Sequence, residues 1–389
     1  MKRHVLIAAV ILAFWPFLTS RAGAQEEQWL QYRSAAEASQ IVGDMNYLYK
    51  TPTGSKPEGI DLPGFASDAP LFLLWETPMA KSGRVCLAFD RSSGGGQYDR
   101  LYIDANADGD LSDETTHEPS RRNSNNSSFG PIKIVFDTED GPITYHLNVS
   151  HYWRPDRTYC LLRSACWYEG PITVGGVKKH CTLIDYSING LFNDKSTDFS
   201  KCDRIRIGEP EGRDTRFVGN YIEVDDKLFR PQIARDGAFI VLTEADDVAY
   251  GAIRVADNIT SFAVGGENGL FTRTPKEGLA RLPVGDYRFD YWSIVKDDKG
   301  AKWELRGNRG GGLFAVTQDE EIALGIGEPV YSSVAVRQSG SYYSFSQNLE
   351  GRREERIELL RNGSRPQPPK LRIRNRDGTY DRGMSFEYG

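Results

Sequence analysis

The sequence is poor in the residues that carry most enzyme chemistry. Of its 389 residues, five are His and five are Cys. Neither C-x-x-C pairs nor His partners at zinc-ligand spacing are present. A G-x-S-x-G nucleophile elbow, an H-E-x-x-H pair and a Walker phosphate loop are all missing. The Gly-rich stretch RGNRGGGL, 306–313, lacks the Lys-Ser/Thr ending of a phosphate loop and reads as a hairpin loop. Basic charge is not in excess either: 48 Lys and Arg stand against 54 Asp and Glu, a formal net charge of −6. That balance argues against nucleic acid and anionic membrane as partners, since both need clustered Lys and Arg.

Long apolar runs are also scarce. The one at 5–18 falls short of the roughly 20 residues of a membrane-spanning helix. It follows Lys2, Arg3 and His4 and precedes TSRAGAQ, with small residues at Ala22 and Ala24. This is the order of a secretory signal peptide, with cleavage expected after Ala24. The next residue is Gln25, not Cys, so no lipid anchor is expected. Cleavage removes Lys2, Arg3 and Arg21, leaving 48 − 3 = 45 basic against 54 acidic residues and a charge of −9. The expected location is secreted or periplasmic, with no transmembrane segment after cleavage. There, Cys86, Cys160, Cys166, Cys181 and Cys202 are free to oxidise. Their odd number leaves two readings open, one disulfide or simple buried thiols.

What the chain has in abundance is strand and turn. YRSAAEASQIVGD offers one short N-terminal helix, with Ser34 and Glu37 spaced as a capping box and Gly43 as a stop. From about Asp61, short apolar or alternating runs recur between turn residues. Hairpins are expected around 139–141, Gly175–Gly176, Asp225–Asp226, Asp236–Gly237 and 298–300. PPKLRIRNRDGTYDRGMSFEYG closes the chain in the same style and is expected to complete a sheet begun earlier. The fold class is therefore all-β, built as two β-sandwich or barrel-like domains. The expected divisions are 1–24 signal, 25–60 short helix and linker, 61–248 first β-rich domain and 249–389 C-terminal β-sandwich.

The most informative stretch is LYIDANADGDLSDE, 101–114, where acidic residues crowd one tight turn after a strand. From Asp104, oxygen-bearing side chains alternate with spacers: Asp104, Asn106, Asp108, Asp110 and Ser112, with Gly109 in sixth place. A hard cation such as Ca²⁺ takes six to eight oxygens at about 2.3–2.6 Å. Alternate residues of a curled loop point inward, and the sixth must bend sharply, which favours Gly. Asp110 would give its backbone carbonyl, Asp113 or Glu114 would close the shell, and Leu111 would anchor the loop in the core. A second stretch, DYSINGLFND, repeats the layout with Asp185, Ser187, Asn189, Gly190, Phe192 and Asp194. It reads as a weaker calcium loop or as an Asn-Gly turn capping the strand.

The D-x-N-x-D-G run resembles the calcium loop of EF-hands and dockerins over about a dozen residues. It departs from them in following a strand and in carrying Thr115 at the twelfth place. More widely, YDRLYIDANADGDLSDE, TLIDYSINGLFND, LPVGDY and DGTYDRGMSFEYG resemble a group of uncharacterised secreted proteins from environmental Gram-negative bacteria. That resemblance implies a secreted, β-rich protein and adds no chemistry.

No catalytic constellation emerges. His117 sits in a polar loop, His146 and His151 face opposite sides of one strand, and His180 neighbours Cys181; each reads as a structural histidine. SGSYYSFS and SHYWRPD each offer an aromatic platform for a sugar or peptide, though the alternating Tyr343 and Phe345 read first as one buried strand face. The expected function is non-catalytic: a secreted calcium-binding structural or ligand-binding protein, its partner an extracellular glycan or protein. The alternative is an extracellular glycan-acting hydrolase with a carboxylate pair not identifiable from sequence.

Overall fold

The computed structural model describes residues 26–92, 96–154 and 156–387; the signal-peptide expectation lies outside them. The chain is all-β, in several sheets that are antiparallel except where Tyr250–Arg254 runs parallel to Glu321–Ala323. No helix among the described residues is long and apolar enough to cross a membrane. The expected N-terminal helix shrinks to a single turn, Ala38–Ile41. Its N-cap is Glu37 with no side-chain bond, and Ser34 belongs to the strand Gln31–Ser34, so no capping box forms.

Local signals set the hairpins. Gly175 and Gly176 have φ of 57° and 83°, and Asp225 and Asp226 have 50° and 61°. Each pair links two strands across a two-residue turn, with Val174 opposite Val177 and Val224 opposite Lys227. Positive φ at both centres suits the right-handed twist of the flanking strands. The run RVCLAFD forms Arg84–Asp90, the central strand of three, and is buried from Val85 to Asp90. The pair Asn126–Thr138 and Gly141–Arg154 instead alternates, sending Ile132, Ile134, Phe136, Tyr145, Leu147 and Val149 inward.

Two large buried clusters result. One draws on residues from Leu30 to Leu242, the other on residues from Leu228 to Ile357. All five cysteines are free and buried, so no bridge joins Cys181 to Cys202. His146 accepts or donates a 2.6 Å bond with the Tyr32 hydroxyl, and His151 does so with Thr158 Oγ1 at 2.8 Å. The SHYWRPD platform is partly closed on itself. Tyr152 stacks on Tyr159 at 4.9 Å, and Tyr159 stacks on Tyr49 at 5.1 Å, so the rings cover one another's faces.

Two hairpins depart from expectation. Tyr331–Ser339 and Tyr342–Glu350 pair fully with each other, but their ladder joins the neighbouring sheet at Glu350 opposite Arg356, with Leu349 packed against the second buried cluster. They project as an arm, leaving Tyr343 59% exposed instead of buried. Lys370–Arg374 and Asp381–Ser385 also pair, yet they form a two-stranded sheet of their own and complete no other. The alternation there is real, but it has no core to face.

Two consequences can be measured. Removing 370–389 should leave the unfolding free energy within about 0.5 kcal/mol, as for a surface change; a larger loss would mean that this hairpin supports the fold. His151 lies between Phe89 and Tyr98 rings, and burial, aided by Arg91, pushes its pKa down to about 4. The unfolded chain then binds a proton that the native chain refuses, so stability is lost as pH falls from about 6.5 to about 4. The unfolding free energy of His151→Gln, from denaturant melts at several pH values, should fall less than the parent's across that window; equal falls would refute the assignment.

Candidate metal loops

The first loop follows the strand Arg100–Ile103 and is wound around one buried carboxylate. Asp104 Oδ1 accepts the Asp108 N–H at 3.0 Å, and Oδ2 accepts the Gly109 N–H at 3.1 Å. Asn106 Oδ1 accepts the same Asp108 N–H at 3.1 Å, and Asn106 Nδ2 donates to Asp108 Oδ2 at 2.9 Å. These bonds draw the side chains of Asp104, Asn106 and Asp108 together. Asp108 Oδ1 accepts from the Asp110 N–H at 2.8 Å, and Asp110 Oδ1 from the Ser112 N–H at 2.7 Å. Glu114 returns to the start of the loop, accepting the Ala105 N–H at 2.6 Å. Asp113 is exposed. Leu111, fully buried, anchors the turn, and its N–H donates to Asp61 O at 2.8 Å.

The second loop follows the strand Val177–Ile184 and repeats this conformation. Counting from the leading Asp, the fourth residue has φ of 58° in one loop (Ala107) and 57° in the other (Ile188). The sixth has 90° (Gly109) and 89° (Gly190). In both, the leading carboxylate accepts from the fifth and sixth amides; for Asp185 these are Asn189 at 3.3 Å and Gly190 at 2.8 Å. In both, the fifth side chain accepts from the seventh amide; here Asn189 Oδ1 takes the Leu191 N–H at 2.9 Å. The eighth residue is the buried anchor, Leu111 or Phe192. A conformation this specific, met twice after a strand, makes the two loops copies of one solution.

The differences lie in burial and charge. Asp185 is wholly buried, and Tyr145 donates to its Oδ2 at 2.9 Å. Tyr145 stacks on Trp75, whose indole N–H donates to Ile188 O at 2.7 Å. Ser187 Oγ and Asn189 Nδ2 both donate to Asp194 Oδ2, at 3.0 and 2.7 Å.

A residue that sequence reasoning missed completes this loop. Asp203, also wholly buried, accepts the N–H groups of Tyr186 at 3.0 Å, Ser187 at 3.4 Å and Asp194 at 2.9 Å. It does for the second loop what Glu114 does for the first, holding the amide just after the leading Asp. No spacing rule could find it, because Asp203 lies outside the loop, just before the strand Arg204–Gly208, which pairs with the loop's own strand.

Burial sets the electrostatics. It pushes the Asp104 carboxyl above its ordinary pKa, opposed by the Gly109 and Asp108 N–H groups, and it raises Glu114 likewise. Asp110, bonded by Ser112, is held below. In the second loop burial lifts Asp185 to about 6, and the Asp194 charge adds to the rise. Asp203 lies well above the usual range, through burial and the charges of Asp185 and Asp194. Among the described residues, no three or more His, Cys, Asp or Glu side chains gather as a metal-holding group. The donors in reach are carboxylate, amide and hydroxyl oxygens, which suit a hard cation and not a soft one.

Asp203→Ala strips the acceptor from three amides. Each unsatisfied buried group costs about 1–3 kcal/mol, so the loss should reach about 3 kcal/mol by chemical denaturation; a loss under about 1 kcal/mol would mean that the loop holds without it. No family model, no curated protein and no solved structure matches the chain, so the two loops are read from their own geometry.

Proposed function

We propose that the chain is a secreted or periplasmic, non-catalytic protein whose fold is reinforced by calcium, and that it binds an extracellular glycan or protein. The observation that carries this reading is the duplicated loop, with matching φ at its fourth and sixth positions and matching bonds to its leading carboxylate. A turn needs neither so many acids nor so much burial of their charge. Two positive charges would offset both.

In the first loop Asp104, Asn106, Asp108 and the Asp110 carbonyl are the expected ligands, with Glu114 or Asp113 closing the shell. In the second the ligands are Asp185, Ser187, Asn189 and Asp194, a set with fewer charges and weaker expected affinity. Calcium supplies no reaction here; it neutralises the loops and ties them to the strands that precede them. The supporting electrostatics are the raised carboxyls of Asp104, Glu114, Asp185 and Asp203, all disfavoured as anions until a cation approaches.

A ligand that binds only the native state stabilises it by RT ln(1 + [L]/Kd), about 2.7 kcal/mol at a hundredfold excess over Kd. Calcium should therefore raise the melting temperature and a chelator should reverse the gain. Asp108→Ala should remove most of it. A melting curve indifferent to calcium, chelator and this substitution would overturn the proposal.

A further inference from the structure

Away from both loops, two arginines face a cleft of about 460 Å³ between the segment around Phe199 and the second β region. Its walls include Asp198, Phe199, Arg288, Phe289, Arg309 and Gly311. Neither guanidinium makes a hydrogen bond or ion pair to another described residue. Arg288 is turned outward by strand alternation, between the buried Tyr287 and Phe289. Arg309 sits in the loop that follows the strand Ala301–Asn308, with φ of 35°, a strained value for a residue with a side chain.

That loop is firmly held. The Arg309 N–H donates to Asp290 O at 2.9 Å, and the Gly311 N–H to Arg353 O at 2.7 Å. Gly310 lies against the buried Glu355, where a Cβ would come within 2.6 Å of its Cγ. Glu355 is itself fixed by the Trp292 indole N–H at 2.9 Å and the Arg353 N–H at 2.7 Å. The strain at Arg309 is thus sustained by its surroundings, and Arg309 lines the cleft.

Arginine is concentrated at this cleft. In a chain of formal charge −6, two arginines line this cleft with one carboxylate, Asp198, and a second, Asp290, lies close enough to Arg309 to feel its charge. Asp198 Oδ1 already accepts from Ser200 N and Oγ, at 3.0 and 2.7 Å, and Arg288 lies near enough to help lower its pKa. Behind Arg309, burial raises the Asp290 carboxyl, and Arg309 and Arg204 oppose that rise. Phe199, part-exposed, adds an apolar wall, and Phe289 lies buried behind the cleft.

We propose that this cleft binds the carboxylate of a uronic acid in an acidic glycan. A planar carboxylate matches the fork of an arginine, two of which line this cleft with no internal partner. The part-exposed Phe199 ring suits the C–H face of a sugar ring, and the volume falls within the roughly 300–1,000 Å³ of small-ligand sites. A phosphodiester chain would need a longer basic track. The inference deepens the binding function proposed above and rests on it.

Calorimetry with the full mature chain and trigalacturonate as probe tests the assignment. Saturable binding is expected, weakened about tenfold or more by Arg288→Gln and by Arg309→Gln, each still folded by its melting curve. Neutral maltotriose should not bind. No saturation at millimolar probe, binding unchanged in both variants, or equal affinity for acetate and phosphate would overturn the assignment. So would preference for a short oligonucleotide. Neutral-glycan binding that ignores both arginines would overturn this site and leave the general binding reading standing. Release of reducing ends from the probe, lost with Arg309→Gln, would support the ligand class and overturn the non-catalytic reading instead.

Discussion

A carboxylate buried at the head of a loop can collect backbone N–H groups that no neighbouring strand pairs. Both candidate loops depend on that interaction. Asp104 binds two amides and Asp185 three, each at the point where a strand ends and the chain must reverse. Charged acceptors make stronger bonds than neutral ones, which compensates part of their loss of water. The remainder of that cost is why these carboxyls resist ionisation.

The second loop shows how far such a device reaches. Trp75 comes from one sheet, Tyr145 from a second and Asp203 from beside the strand that partners the loop's own, and all three bond to it. Next to Asp203, the buried Arg204 does not pair with the acids. Its guanidinium lies 3.8 Å from the Tyr186 ring centre and 4.1 Å from that of Phe217, and it donates to Phe199 O at 2.7 Å. The loop is thus tied through Arg204 to the segment that forms one wall of the arginine cleft.

Much of this was legible in the sequence wherever the cause was local. Gly-Gly and Asp-Asp turns, the alternation of 126–154 and the Asp-led loops are each written within a few residues. Burial was legible only where a strand had a core to face: Tyr343 and Leu371 alternate with polar neighbours as faithfully as Tyr145 does, yet they sit on hairpins outside either core. Asp203 escaped for the opposite reason, since its partners lie far from it in sequence and only strand pairing brings them together. Arg309 escaped because RGNRGGGL reads as a hairpin loop, and nothing local to Arg288 marks it.

The five thiols have a use that disulfides would have denied them. All lie at or before Cys202, buried and unbridged, and none belongs to the second core. A thiol shielded by protein reacts with an alkylating reagent only when its surroundings open. The rate at which Cys86, Cys160, Cys166, Cys181 and Cys202 are modified is therefore a built-in clock for breathing in the first half of the molecule, silent to motion in the second.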